Sequence, residues 1–89
     1  MINYDLIPQS TMDSLRRYVE QGIPTGGFLE AVLSNDLMEA CGRADQFNQE
    51  ALFHICAYVY NEMPHNSHGS REKVRKWLEA KQAERQKVS

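Results

Sequence analysis

Gly22-Ile23-Pro24-Thr25-Gly26-Gly27-Phe28-Leu29-Glu30-Ala31-Val32-Leu33-Ser34-Asn35-Asp36-Leu37 reads as a stop, a turn and a new helix. Gly22 can take the left-handed backbone that ends a helix, Ile23 can fold back on Tyr18, and Pro24 blocks any continuation. From Phe28 the apolar residues Leu29, Val32, Leu33, Leu37, Ala40, Cys41 and Ala44 recur at three and four, the helical period, over a run too long for a strand. The pattern predicts one helix over about 26–43. Its weak point is Ser34-Asn35-Asp36, whose side chains compete with the helix for backbone bonds, so any break into two helices falls there.

Upstream, Met12, Leu15, Tyr18 and Val19 form a stripe that Ser10 introduces, with Asp13 completing an imperfect capping box. Downstream, Gly42 is expected to close the second helix. Asp45, with Asn48 three residues later, caps a third with Phe47, Ala51, Leu52, Ile55, Cys56, Val59 and Met63 on its apolar face, and Pro64 ends it. This is the expected central helix. A turn-rich loop over 64–69 leads to Ser70, which caps a last helix whose apolar contacts are Val74, Trp77 and Leu78. The apolar signal thins beyond Leu78, so fraying is expected from about residue 83. No strand pattern offers a sheet, so the expectation is all-α: one domain over 1–89, a compact bundle or orthogonal array of four to five helices, with an ordered core over about 8–82.

The 89 residues suit one small core, which leaves self-association into a homo-oligomer open as a source of stability. No apolar run approaches the roughly 20 residues that span a bilayer, and the first residues carry no basic and apolar leader pattern, so a cytoplasmic protein without membrane contact is expected. Cys41 and Cys56 are too few and too far apart for a disulfide framework or a zinc knuckle and read as buried thiols. Net charge is only −2, but residues 71–89 hold seven basic against three acidic side chains, +4, while residues 1–70 hold three against nine, −6. The acidic body makes nucleic acid an unfavoured partner for the basic end.

Two glycine-led helix starts carry the chemistry. Unpaired N–H groups and partial positive charge at a helix N-terminus favour a phosphate or carboxylate, and glycine lets it approach. Thr25-Gly26-Gly27 is one such start, with Thr25 as a simple N-cap the plainer reading. Gly69-Ser70-Arg71, with Lys73 in the same turn, is the other, and cations there oppose the helix dipole unless an anion is present. The plainer reading of this second start is that Glu72 partly compensates and both basic side chains point into solvent; the first is neither a phosphate loop nor a dinucleotide fingerprint. His65 and His68 lack a third ligand for a metal, and His54 reads as a hydrogen-bonded structural histidine. Asp36, Glu39 and Arg43 form a polar ridge explained by pairing along a helix. Tyr58 and Tyr60 cannot both face the core. No nucleophile, acid, base and metal set assembles, so the chain is read as a non-enzyme with no catalytic residue, metal or cofactor.

The Gly22–Leu37 stretch, Gly42-Arg43-Ala44-Asp45, His68-Gly69-Ser70, Lys73-Val74 and Trp77-Leu78 together resemble a family of short, uncharacterised proteins of tailed bacteriophages and prophages, over about residues 8–79. No activity comes with the resemblance, so no catalytic residue is carried over. It implies stoichiometric action in a host cytoplasm, by binding a host protein or by sequestering a nucleotide immune signal. The leading expectation is a non-enzymatic binder of a phosphorylated small molecule or nucleotide. Thr25, Gly26, Gly27, Gly69 and Ser70 would supply donors and Arg43, Arg71 or Lys73 the charge. The alternative is an interaction module that inhibits or redirects a host protein through a helical face.

Overall fold

The stop at Gly22 behaves as its chemistry requires. In the computed structural model, which describes residues 1–87, Gly22 sits at φ 69° and its N–H bonds the Tyr18 carbonyl at 3.1 Å, ending α1 (Gln9–Gln21). A second reason for glycine comes from packing: a Cβ here would collide with the Cβ of Lys81 on the last helix, which crosses at this point. The other end of α1 departs from the capping expectation. Ser10 lies inside the helix, and Pro8 stands at the N-cap without a side-chain bond, its fixed φ leading the chain in.

The run over 26–43 is two helices, α2 (Gly27–Leu33) and α3 (Leu37–Arg43), broken at Ser34-Asn35-Asp36. Asn35 takes the left-handed conformation, φ 62°; its N–H bonds Val32 O at 3.1 Å and that of Asp36 bonds Ala31 O at 2.8 Å, the paired bonds of a Schellman end. Asp36 then caps α3 by accepting from the Glu39 N–H at 3.2 Å. This restart resets the helical phase, which explains two departures from the stripe: Leu37 and Cys41 are exposed, while Ala40 and Ala44 point inward. Gly42 does not close α3. It lies within the last turn, and the chain leaves through extended Ala44, where no left-handed residue is needed.

Asp45 caps α4 (Gln46–Glu62) by accepting from Asn48 N–H at 2.8 Å, and Ser70 Oγ accepts from Lys73 N–H at 3.1 Å to cap α5 (Arg71–Lys87). α4 is central, giving Ala51, Ile55 and Val59 to a core that also contains Ile7, Leu15, Tyr18, Leu29, Leu33, Met63 and Val74. Phe47 is not part of it. The first turn of α4 precedes its entry into the core, and Phe47 is left exposed beside Leu6 and Pro8. Two single 3-10 turns, Tyr4–Leu6 and His65–Ser67, complete the element order, and with Ile7 buried the packed region begins before residue 8. α5 stays helical to Lys87, past the expected fraying point, with Arg85 donating to the Gln21 carbonyl at 3.2 Å. No strand occurs among the described residues, and the molecule is an all-α bundle of five helices, with a radius of gyration of 12.9 Å.

The pin of the bundle is Tyr18. It is fully buried, its hydroxyl donates to Ser67 O at 2.7 Å, and its own carbonyl accepts from Trp77 Nε1 at 3.2 Å. One residue of α1 therefore fixes both the 64–69 loop and α5. Burial raises the Tyr18 hydroxyl pKa well above its ordinary value, so the group stays a donor throughout the working pH range.

Candidate functional site

α2 separates the two glycine-led helix starts. Gly27 opens it, whereas the Gly69 N–H bonds the carbonyl of Leu33, its last residue, at 2.7 Å. At 1.5 Å per residue the starts are held roughly 9 Å apart along the helix, so they form two places rather than one. At the first, Gly26 is the N-cap and Thr25 is not; no side chain caps α2. Gly26 and Gly27 border a shallow hollow of about 260 Å³ with Ser10, Thr11 and Ser14. Arg43 lies against Gly27, where a Cβ would stand 3.0 Å from its terminal nitrogen. Its guanidinium is already bound to Glu39, however, and the field of Glu30 also reaches it. An anion here would meet a neutralised cation.

The second start has spent most of its donors internally. Gly69 N–H serves Leu33, Ser70 Oγ serves the Lys73 amide, and Arg71 reaches Asp36 at 3.0 Å and Glu30 at 3.7 Å. Arg71 thus ties α5 to the α2–α3 corner across an exposed surface, which accounts for a cation in the first turn of α5 without any ligand. Lys73 is different. Among the described residues its ammonium has neither a carboxylate nor a hydrogen-bond acceptor, whereas Arg16, Arg17, Arg43, Arg71, Arg75, Lys76, Lys81 and Arg85 each have one.

Lys73 stands at a cavity of about 460 Å³ bordered by Val32, Asn35, Cys56, Val59, Tyr60, His65, His68 and Gly69. That is a small-ligand volume. No carboxylate lines it, in a protein that is acidic overall. Val32, Val59 and Cys56 make an apolar floor, and burial pushes the Cys56 thiol pKa up, keeping it neutral. The His65 and His68 rings lie 6.4 Å apart. His68 Nε2 is buried without a partner among the described residues, and burial foremost lowers the His68 pKa, with His65 and Lys73 adding repulsion and a Met63 backbone bond opposing. Buried polar atoms are rarely left unpaired, so this nitrogen is an unsatisfied group at the edge of the cavity. Tyr60 is 74% exposed at the rim, whereas Tyr58 packs edge-on against Tyr4 at 5.3 Å.

Comparison of the chain with known protein families, curated proteins and solved structures returns no match.

Of the eight candidate residues, the structure places Gly26 and Gly27 at one hollow with Arg43 against Gly27, leaves half-buried Thr25 just before it, places Gly69 and Lys73 at the cavity, and uses Ser70 and Arg71 for internal bonds. Sequence reasoning missed Tyr60, His65, His68 and the apolar floor as one constellation. The signal available was the pair of histidines beside a cation, which spacing alone assigned to a loop. His54 is the structural histidine expected of it, its Nδ1 accepting from Asn3 N–H at 3.0 Å. Among the described residues no group of three or more metal-ligating side chains converges, and no helix is long and apolar enough to cross a membrane.

Proposed function

We propose that the protein is a non-enzymatic binder of a phosphorylated small molecule, with the phosphate at Lys73 and His68 and an apolar or aromatic moiety over Val32, Val59 and Tyr60. The observation that carries this is the unpartnered Lys73 ammonium at a cavity free of carboxylates. A charge-assisted bond to phosphate is far stronger there than at the Arg43 or Arg71 positions, where a glutamate or aspartate must first be displaced. A nucleotide suits the site on two counts: its base can stack on Tyr60, and the volume accommodates a single mononucleotide. Together with the resemblance to phage proteins, this favours stoichiometric sequestration of a host nucleotide signal.

Calorimetry against linear and cyclic nucleotides tests the reading. At least one should bind, and Lys73→Met should weaken it by roughly 10- to 150-fold, the 1.5–3 kcal/mol of a hydrogen bond to a charged group. Lys76→Met, on the same helix but paired with Glu72, should bind as the parent does. No heat with any nucleotide at high protein concentration would end the proposal.

A second reading, an interaction module for a host protein, draws support from Leu37 and Met38, which α3 presents at 59% and 81% exposure. It requires that Met38→Glu abolish recovery of a single host protein by the tagged chain, and retention in that variant would dismiss this face.

A further inference from the structure

The break between α2 and α3 brings to the cavity a side chain that the turn itself does not use. Asn35 is the only non-glycine residue with a left-handed backbone among the described residues, at φ 62°. Glycine fits such a helix end best and asparagine is the usual second choice, so the turn needs the backbone of residue 35 and not its carboxamide. The bonds that close the turn, Asn35 N–H to Val32 O at 3.1 Å and Asp36 N–H to Ala31 O at 2.8 Å, are all backbone. The Asn35 carboxamide has no hydrogen-bond partner among the described residues, yet Asn35 borders the 460 Å³ cavity.

Its bond to Val32 fixes Asn35 at the edge of the apolar floor on which the base is proposed to lie. Lys73 stands beside Gly69 instead, where a Cβ would be 3.5 Å from its ammonium. The two polar groups thus serve different parts of one ligand, Lys73 the phosphate and Asn35 the base.

A carboxamide offers a donor and an acceptor side by side, and so matches adenine, whose N6 amino group donates while N7 accepts. Guanine shows two acceptors on the same edge, O6 and N7, which call for arginine or lysine. Its N1 and N2 donors call for a carboxylate. Neither arginine nor a carboxylate borders the cavity, and its lysine is taken up by the phosphate. Pyrimidines can pair with a carboxamide but cover less of the Tyr60 ring on stacking. We infer that Asn35 is the base-reading residue of the cavity and that the ligand is an adenine nucleotide, an inference that rests on the nucleotide reading of the same site.

Calorimetry with adenosine 5′-monophosphate, guanosine 5′-monophosphate and ribose 5-phosphate, on the full chain and on Asn35→Gly, tests it. Glycine keeps the left-handed turn, so the urea midpoint of the variant should stay close to the parent's. The parent should bind the adenosine nucleotide roughly 5- to 150-fold tighter than the guanosine nucleotide, the range of a bidentate contact between a side chain and a base. In Asn35→Gly the two nucleotides should bind alike, with the affinity for ribose 5-phosphate unchanged. Equal affinity of the parent for both nucleotides, an adenine preference that survives Asn35→Gly, or a matching loss of ribose 5-phosphate binding would overturn the inference and leave the nucleotide reading standing. Absence of binding by either nucleotide to the parent would remove both.

Discussion

α4 and α5 are each seventeen residues long and differ in what holds them. α4 contains two charged residues, Glu50 and Glu62, and gives three residues to the buried core; α5 contains ten charged residues and gives one, Val74, with Trp77 and Leu78 half-buried. Ion pairs such as Arg75 with Glu79 at 3.0 Å and Lys76 with Glu72 at 3.5 Å decorate α5, but each is exposed and contributes well under about 1 kcal/mol. Stability is therefore concentrated along α4. α5 is a charged arm pinned by Tyr18 and Gly22, and Lys73 stands on it without a carboxylate partner among the described residues, at the edge of the cavity.

The largest effect should come from breaking the α4 side. Ile55→Ala, at a fully buried position, should cost about 2–5 kcal/mol in urea unfolding, whereas Leu78→Ala on α5 should cost less because that side chain is only partly covered. Next is the crossing between α1 and α5. Gly22→Ala imposes both a left-handed alanine and a clash with Lys81, and about 2 kcal/mol or more is expected, with a loss of Trp77 fluorescence contrast as α5 is displaced. Tyr18→Phe leaves the Ser67 carbonyl buried without its donor, a cost of about 1–3 kcal/mol. Removing a surface pair by Arg75→Gln should change stability by less than about 0.5 kcal/mol.

What was legible follows the same division. Caps at Asp45 and Ser70, the αL glycine at 22 and the break at Ser34-Asn35-Asp36 are decided by neighbouring atoms, and the sequence pattern exposes them. Ser10 failed as a cap because Pro8 already starts the helix, and Thr25 failed because the chain turns one residue later, at Gly26. Leu37 and Phe47 keep the helical spacing but sit in first turns, where phase and entry angle are set by tertiary packing. The site was less visible still. Asp36 meets Arg71 across 35 residues, and Leu33 meets Gly69 across a similar span, so the pairings that disarm Arg71 and the Gly69 amide could not be seen in spacing. Nor could the isolation of Lys73, which depends on where every carboxylate ends up.

His68 sharpens the comparison through pH. Burial lowers its folded pKa below the ordinary histidine value, so the unfolded chain takes up the proton first. Its contribution to stability is complete above about pH 6.5 and is lost as pH falls towards the lowered folded value. His68→Gln should remove that part of the acid dependence of the urea midpoint. A bound phosphate beside the ring has the opposite influence, favouring the charged imidazolium, so binding should take up a proton and tighten between pH 8 and pH 6. Calorimetry in two buffers of different ionisation heat would read the proton uptake.

The most direct test is a nitrogen-15 NMR titration of the protein with a nucleoside monophosphate. Binding at the proposed cavity should move the amide signals of Asn35, Gly69 and Lys73 in a saturable way, lost in Lys73→Met, while Gly26 and Gly27 stay in place. Shifts confined to Gly26 and Gly27, or none at saturating nucleotide, would contradict the account.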